Sequence, residues 1–250
     1  MATPEDHLAA SEIADVVGRT LVTARNNMSS KDYSIGQIGA AGDRLAHHEL
    51  MEAIKQRFPD DLVLSEEASA GERAGPERLT APRLWIIDPI DGTREYREGR
   101  TDWAVHVALI EEGTPTAAAV ALPDLGLVFG TSTPPTVPPA AQPRRLVVSR
   151  TRPAPEAYML ADALGATLIP MGSAGAKAMA VVRGEADVYV HSGGQFEWDS
   201  AAPVGVATAA GLWCSRIDGT PLTYNRLDTY LPDLLICHRD DAERILEVIN

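Results

Sequence analysis

A run of ten residues, PPTVPPAAQP from Pro134 to Pro143, constrains the fold of this chain more than any other feature. Half of the run is proline, which lacks a backbone N–H and cannot continue a helix or a central strand. The run is therefore expected to join two parts of the chain. Because the order of predicted elements also changes across it, we predict two subdomains, residues 1–135 and 141–250.

The first half of the chain is predicted to contain two helices followed by strands. Thr3 can cap a helix that has Pro4 at its first position, and a second helix is expected from about Gly42 to Phe58. Five strand-like runs follow, separated by Gly and Pro, at 62–68, 83–88, 102–113, 116–123 and 126–132. The last three are typical of an antiparallel meander.

Strands and helices alternate in the second half, which is typical of layered α/β structure. The strands RLVVS, ATLIP and ADVYVH alternate with helices predicted at 155–164, 174–183 and 199–210. Strands around Trp213 and at LLICH, and a helix at 240–249, complete the chain. The whole pattern predicts a mixed α+β and α/β fold.

The charge balance restricts the partners that this chain can bind. A formal net charge of -13 at pH 7, with no basic stripe to offset it, excludes nucleic-acid polymers as expected partners. A small phosphate ester remains compatible if bound cations bring the two negative partners together. No segment has the apolar length of a secretory signal or a membrane span, so we expect a cytoplasmic protein without a membrane partner. The oligomeric state stays open, a homodimer included.

Carboxylates recur where predicted elements begin or end. Six such residues stand out: Asp43, Glu66, Glu67, Asp88, Asp91 and Asp199. Element ends are where sheets display catalytic groups. Taken singly, however, Asp43 and Asp199 are better explained as helix caps or first-turn acids, and Glu67 as solvated surface. Asp88 and Asp91 differ, because acids that follow Trp-Ile-Ile so closely lie near the core, where a metal ion is a natural partner.

Four segments taken together resemble the inositol-monophosphatase superfamily of metal-dependent phosphatases. They are LSEEA (64–68), WIIDPIDGTREY (85–96), GSAGAKAMAVVRGEADVYVH (172–191) and EWDSAAP (197–203). More narrowly, they are similar to the actinobacterial form of its CysQ branch, the bacterial 3'-phosphoadenosine 5'-phosphate phosphatases. Inositol phosphatases usually carry Thr-Asn-Phe after Asp-Gly, whereas Thr93-Arg94-Glu95-Tyr96 is similar to the nucleotidase pattern. The resemblance implies a layered αβαβα sandwich.

The resemblance also implies a site for two or three Mg²⁺ ions. One ion would be held by Glu66, Asp88 and the carbonyl of Ile90, and a second by Asp88, Asp91 and Asp199. A metal-activated water, oriented by Glu67 and by Thr93 with Asp43 behind it, would attack phosphorus directly, and no phosphoenzyme would form. Lithium inhibits relatives of this family, so lithium sensitivity is expected here too.

Substrate-binding residues are expected from both halves of the chain. The resemblance implies that Gly92 and Thr93 begin a helix facing the scissile phosphate, with Asp199 nearby. Residues Gly172, Ser173 and Lys177 would meet the leaving group. Lys177 is a candidate for binding a second phosphate, with Arg94, Arg97 and Arg100 as rival candidates. The structural alternatives are an exposed lysine and a solvated charged loop.

The predicted reaction is hydrolysis of 3'-phosphoadenosine 5'-phosphate to AMP and phosphate, in sulfur assimilation. An enzyme of the same mechanism acting on inositol 1-phosphate or fructose 1,6-bisphosphate is the nearer alternative. The farther alternative is a non-catalytic nucleotide sensor. Such a sensor is expected to have lost one of the acids, and none of the six is missing.

Overall fold

Two five-stranded sheets and nine α-helices build the protein in five layers, in the order αβαβα. The computed structural model describes residues 1–250. The helices are α1 (Pro4–Ser29), α2 (Ile35–Arg57), α3 (Ala70–Arg73), α4 (Glu77–Thr80), α5 (Thr93–Arg97), α6 (Pro155–Leu164), α7 (Ala174–Val182), α8 (Glu197–Ala209) and α9 (Arg239–Ile249). None of these helices combines the length and the apolar composition that a membrane crossing requires.

The strands divide between the two halves of the chain. The first sheet contains β1 (Leu62–Ser65), β2 (Leu84–Asp91), β3 (Ala104–Glu111), β4 (Thr114–Leu122) and β5 (Leu127–Gly130), in sequence order. The second contains β6 (Arg145–Ser149), β7 (Thr167–Met171), β8 (Val188–Phe196), β9 (Trp213–Ser215) and β10 (Tyr230–Cys237), in the order β7-β6-β8-β10-β9. No strand or helix lies within 134–144. The division into subdomains 1–135 and 141–250 stays a prediction.

Strand direction is mixed within each sheet. The pair β1–β2 is parallel, whereas β2, β3, β4 and β5 pair antiparallel in succession, so the predicted meander is confirmed. In the second sheet β6 is parallel to β7 and β8, and β10 is antiparallel to β8 and β9.

Three hydrophobic clusters fill the spaces between the layers. Helices α1 and α2 pack on the outer face of the first sheet, and helices α6 and α9 on the outer face of the second. The largest cluster lies in the middle, where α7 and α8 contribute buried residues together with the inner faces of both sheets. This arrangement confirms the layered αβαβα sandwich, and it brings the two halves into contact along α7 and α8.

Helix α2 begins earlier than the sequence predicted. Ser34 caps it, and Ser34 and Gln37 exchange the two hydrogen bonds of a capping box. The glycine-rich segment IGQIGAAG lies before the predicted start, yet it is helical, and Gly39 and Gly42 face α5. A β-carbon at Gly42 would lie 2.5 Å from Cε1 of Tyr96, so the glycine lets α2 approach α5 closely. The prediction that a helix begins near Gly42 is therefore wrong.

Candidate active site

An irregularity in the pairing of β2 and β3 places two acids on one face of the first sheet. Asp88 pairs with His106 and Asp91 with Ala104, so three steps on β2 match two on β3. Residues three apart in a regular strand face opposite sides, and one extra residue reverses that alternation. Oxygens of Asp88, Asp91 and Asp199 consequently lie within 4.8 Å of one another, with Asp199 supplied by the first turn of α8.

The carboxylates of this cluster repel one another in a buried space. Burial, followed by the charges of neighbouring acids, raises the pKa of Asp88 well above its usual value, and raises the pKa of Asp199 to about 6. Burial and the same like charges raise the pKa of Glu66, which directly follows β1, to about 7. Four acids held so close together suit a site for positive charge.

One oxygen of Asp88 indicates that the cluster fits a cation. Its Oδ1 is buried and has no hydrogen-bond partner. Burying a carboxylate oxygen without a partner costs free energy of folding, and a bound ligand removes that cost. Carboxylate oxygens are the donors that hard divalent cations such as Mg²⁺ prefer, so the residues present fit such an ion.

Asp91 is ionised more readily than its neighbours. Burial opposes its charge, but the charge and contact of His106, then Lys177 and the N–H of Gly175, outweigh burial and lower its pKa. Oδ1 accepts from the N–H of Ala174 at 3.2 Å and Oδ2 from that of Gly175 at 2.5 Å. Asp91 thus extends from the end of β2 to the first turn of α7 and joins the two halves.

Thr93 and Asp43 meet beside the acidic cluster. The Thr93 hydroxyl lies 3.2 Å from Oδ1 of Asp43 and 3.3 Å from the carbonyl oxygen of Ile90.

Burial, then the charge of Glu67, raises the pKa of Asp43 to about 6. Asp43 lies about two turns inside α2, so the alternative that it caps a helix is wrong. Glu67 is exposed.

Asp199 meets both of the expectations formed from the sequence. It lies in the first turn of α8, where Oδ2 accepts from the N–H of Phe196 at 2.6 Å. It also belongs to the acidic cluster with Asp88 and Asp91. A capping role and a ligand position are therefore compatible in one side chain.

The second half of the chain approaches the acids through the loop that begins α7. Gly92 has φ 89°, and a β-carbon there would lie 3.0 Å from Cβ of Ser173. Ser173 caps α7 by accepting from Ala176 N–H. A β-carbon at Gly172 would lie 2.3 Å from Cγ of Glu95. Glycine at both positions lets the two loops approach each other.

Lys177 is buried in the wall of the site. Its Nζ donates to the carbonyl oxygens of Gly172 at 2.5 Å and Ser173 at 2.7 Å, and lies 5.3 Å from the ring centroid of Tyr189. Burial lowers its pKa to about 8, although Asp91 and the other acids act in the opposite direction. The alternative of an exposed lysine is therefore wrong.

A cavity of about 620 Å³ opens in front of these groups. Its walls include Asp91, Asp199, Thr93 and Lys177. Residues that the sequence did not single out contribute as well: Arg150, Arg152, Tyr189, His191, Gln195, Phe196 and Tyr230. The aromatic rings of Phe196 and Tyr230 are 43% and 44% exposed.

The arginines around the cavity differ in availability. Arg150 is neutralised by ion pairs with Glu95 at 2.6 Å and Glu98 at 3.0 Å. Arg94 and Arg152 line the same cavity, are exposed and form no ion pair. Arg152 follows the carboxyl end of β6, and that position was the available signal in the sequence.

Comparison with known proteins gives a consistent result. The model of the inositol monophosphatase family matches residues 5–249. A protein of Mycobacterium leprae named 3'-phosphoadenosine 5'-phosphate phosphatase is 45% identical, over 98% of this chain and 93% of that protein. The protein of the same name from Mycobacterium bovis is 49% identical, over 85% and 82%.

A solved structure agrees at the level of the fold. The crystal structure of CysQ from Bacteroides thetaiotaomicron, described as a bacterial member of the inositol monophosphatase family, superposes with a TM-score of 0.77. The match covers 94% of this chain and 97% of that one, at 23% identity. At this identity the likeness supports the arrangement of the layers.

Proposed function

Because this chain belongs to the inositol monophosphatase family, we propose that it is a phosphatase that hydrolyses 3'-phosphoadenosine 5'-phosphate to AMP and inorganic phosphate. The observation that carries the proposal is the acidic cluster at the wall of a cavity that also contains unpaired arginines and exposed aromatic rings. The acids suit a cation that binds the scissile phosphate. The arginines suit a second phosphate, and the rings suit a nucleobase.

The residues present fit Mg²⁺, two or three ions in our proposal. Glu66, Asp88 and the Ile90 carbonyl would hold one ion, and Asp88, Asp91 and Asp199 another. Bound there, the metal would lower the pKa of a bound water, so that this water could lose a proton near neutral pH. It would also stabilise charge on the departing alkoxide. This cluster in a family of metal-dependent enzymes supports the need for a cation.

The chain's own residues would orient the attacking water. Because the Thr93 hydroxyl donates to Asp43, its oxygen is free to accept a hydrogen bond from water. A proton taken up at the Thr93 oxygen can pass to Oδ1 of Asp43, whose pKa of about 6 suits proton exchange near neutral pH. Glu67 is exposed beside Asp43 and would hold the same water from the other side.

Leaving-group recognition would be shared between the two halves. Gly92 and Gly172 let the start of α5 and the loop before α7 approach each other, so that Ser173, which lines the cavity, would face the ester beside Gly92. Arg94 from the first half and Arg152 from the second are free to bind the 5'-phosphate. Lys177 would contribute its charge from within the wall, since its ammonium group already donates to two carbonyl oxygens.

A substrate panel tests the proposal. We expect 3'-phosphoadenosine 5'-phosphate to exceed inositol 1-phosphate and fructose 1,6-bisphosphate in kcat/KM by at least about tenfold, which one charge-assisted contact can supply. Chelation of divalent cations with EDTA should abolish phosphate release, and Mg²⁺ should restore it. Equal or reversed preference would favour the inositol-phosphatase alternative, and binding of nucleotide without turnover would favour the sensor. Lithium sensitivity, a cytoplasmic location and a homodimer stay predictions.

A further inference from the structure

His106 is a fully buried polar side chain on the strand next to the acids. It lies on β3 with 0% exposure, on the face that carries Ala104 and Ala108 into the central core. Nε2 is 3.2 Å from Oδ2 of Asp91, and Nδ1 is 3.0 Å from the carbonyl oxygen of Trp198. Trp198 immediately precedes Asp199, so one ring contacts the surroundings of two candidate metal ligands.

Both neighbours of the ring are hydrogen-bond acceptors. An N–H at Nδ1 can donate to the carbonyl oxygen, and Nε2 lies 3.2 Å from Oδ2 of Asp91 without the alignment of an ideal hydrogen bond. The ring thus contacts Asp91 through one nitrogen and the backbone of Trp198 through the other.

The chain leaves space for this contact at one glycine of α7. A β-carbon at Gly175 would lie 2.1 Å from Nε2 of His106 and 3.1 Å from Oδ2 of Asp91. The same glycine donates its N–H to Asp91. Strands β2 and β3 and helices α7 and α8 therefore converge on His106, and any larger residue at 175 would displace the ring.

We propose that His106 is a positioning residue for metal binding, which fixes the Asp91 carboxylate and, through the Trp198 carbonyl, the backbone that carries Asp199. The proposal rests on the proposed function, since it takes Asp91 and Asp199 to be metal ligands. Carboxylates that bind metals are themselves held by further hydrogen bonds, and loss of such a partner typically costs about 10- to 100-fold in metal affinity.

Three substitutions separate the two contacts of the ring. His106→Leu removes both. His106→Gln can place an amide N–H where Nε2 lies and keeps the donor to Asp91, whereas His106→Asn can place one where Nδ1 lies and keeps the donor to Trp198. Val107→Ala is the matched control, because Val107 is equally buried on β3 but its side chain packs on the opposite face, against α1 and α2.

The measurement is calorimetric titration of Mg²⁺ alone into the metal-free proteins, together with their melting temperatures. We expect His106→Leu, which loses both contacts, to raise the Kd for Mg²⁺ by about 10- to 100-fold, and His106→Gln and His106→Asn, which each keep one contact, to raise it by less. Val107→Ala should lower Tm without changing the Kd.

The outcomes distinguish failure of this inference from failure of the proposed function. If the parent protein does not bind Mg²⁺, the proposed function fails. If the parent binds it and the His106 variants bind it equally well or more tightly, while Tm falls as in Val107→Ala, the ring is only a packing element and the positioning role is wrong.

Discussion

At the scale of single residues, the buried acids of the site repel one another when no cation is bound. This repulsion makes the stability of the folded protein depend on pH. The folded pKa is about 7 for Glu66 and about 6 for Asp199 and Asp43, above their ordinary values of 4.5 and 3.8. An acid whose pKa is raised on folding stabilises the fold below its unfolded pKa, and that contribution is lost as the pH rises through the folded pKa.

We therefore predict that the metal-free protein loses stability as the pH rises from about 4 to about 7. His191 opposes the trend, since burial lowers its pKa, whereas Asp88 adds to it, because burial raises its pKa as well. Melting temperatures measured in EDTA across this range should fall, and saturating Mg²⁺ should abolish the decline. Glu66→Gln is the control, because it removes one of the three acids and should flatten the curve. A melting temperature in EDTA that rises with pH would contradict this account.

At the scale of elements, the sequence located most helices and strands but not the irregularities that build the site. Strand β2 was predicted from its apolar run, because burial on both faces leaves a continuous pattern. The extra residue between Asp88 and Asp91 arises from the pairing of β2 with β3. The local sequence of β2 alone does not predict it. The early start of α2 was not predicted, because glycine has low helix propensity. The glycine at position 42 is explained by close packing against Tyr96, which is distant in the sequence.

The contact of α2 with α5 leads to the second prediction. Gly42→Ala would place a β-carbon 2.5 Å from Tyr96 and 3.0 Å from Ile90, so α2 has to move away from α5. Overpacking of this kind costs roughly 1–3 kcal/mol in the free energy of unfolding. Because Asp43 follows Gly42 directly, its contact with Thr93 should lengthen, and we expect kcat to fall by about tenfold.

Gly36→Ala is the matched control on the same helix, because a β-carbon at Gly36 meets nothing within 4 Å. There alanine should stabilise the protein by about 0.5–1 kcal/mol through helix propensity alone. Urea unfolding and phosphate release on both variants give the comparison. If both substitutions shift stability in the same direction, close packing of α2 against α5 is not the reason for Gly42.

At the scale of the whole molecule, the candidate site lies where the two halves of the chain meet. Asp91 accepts hydrogen bonds from α7, and Asp199 comes from α8, although each acid was noticed in the sequence separately. The opposite wall was not predicted, because Arg152, Phe196 and Tyr230 lie on separate elements that only the second sheet brings together. The sequence could predict that acids at the ends of strands and helices lie close together. It could not predict which residues face them across the cavity, because that depends on how the layers pack.

The last prediction concerns how an acidic protein holds a substrate with two phosphates. With a net charge of -13, the protein needs local cations to bind the phosphate that lies away from the metal ligands. Arg94 and Arg152 are unpaired at the cavity and come from different halves. We expect Arg94→Ala and Arg152→Ala each to lower kcat/KM for 3'-phosphoadenosine 5'-phosphate by about tenfold, or roughly 1.4 kcal/mol.

Inositol 1-phosphate has no second phosphate, so its kcat/KM should change by less than about twofold in both variants. Arg100→Ala is the control, since Arg100 lies outside the cavity lining and is already paired with Asp102 at 2.7 Å. Removal of the 5'-phosphate, as in 3'-AMP, should make the parent and the two cavity variants nearly equal, because the arginines then have no anion to bind. A similar loss on all three substrates would instead mean that these arginines support the fold or bind the scissile phosphate. A preference unchanged by either variant would mean that other residues bind the second phosphate.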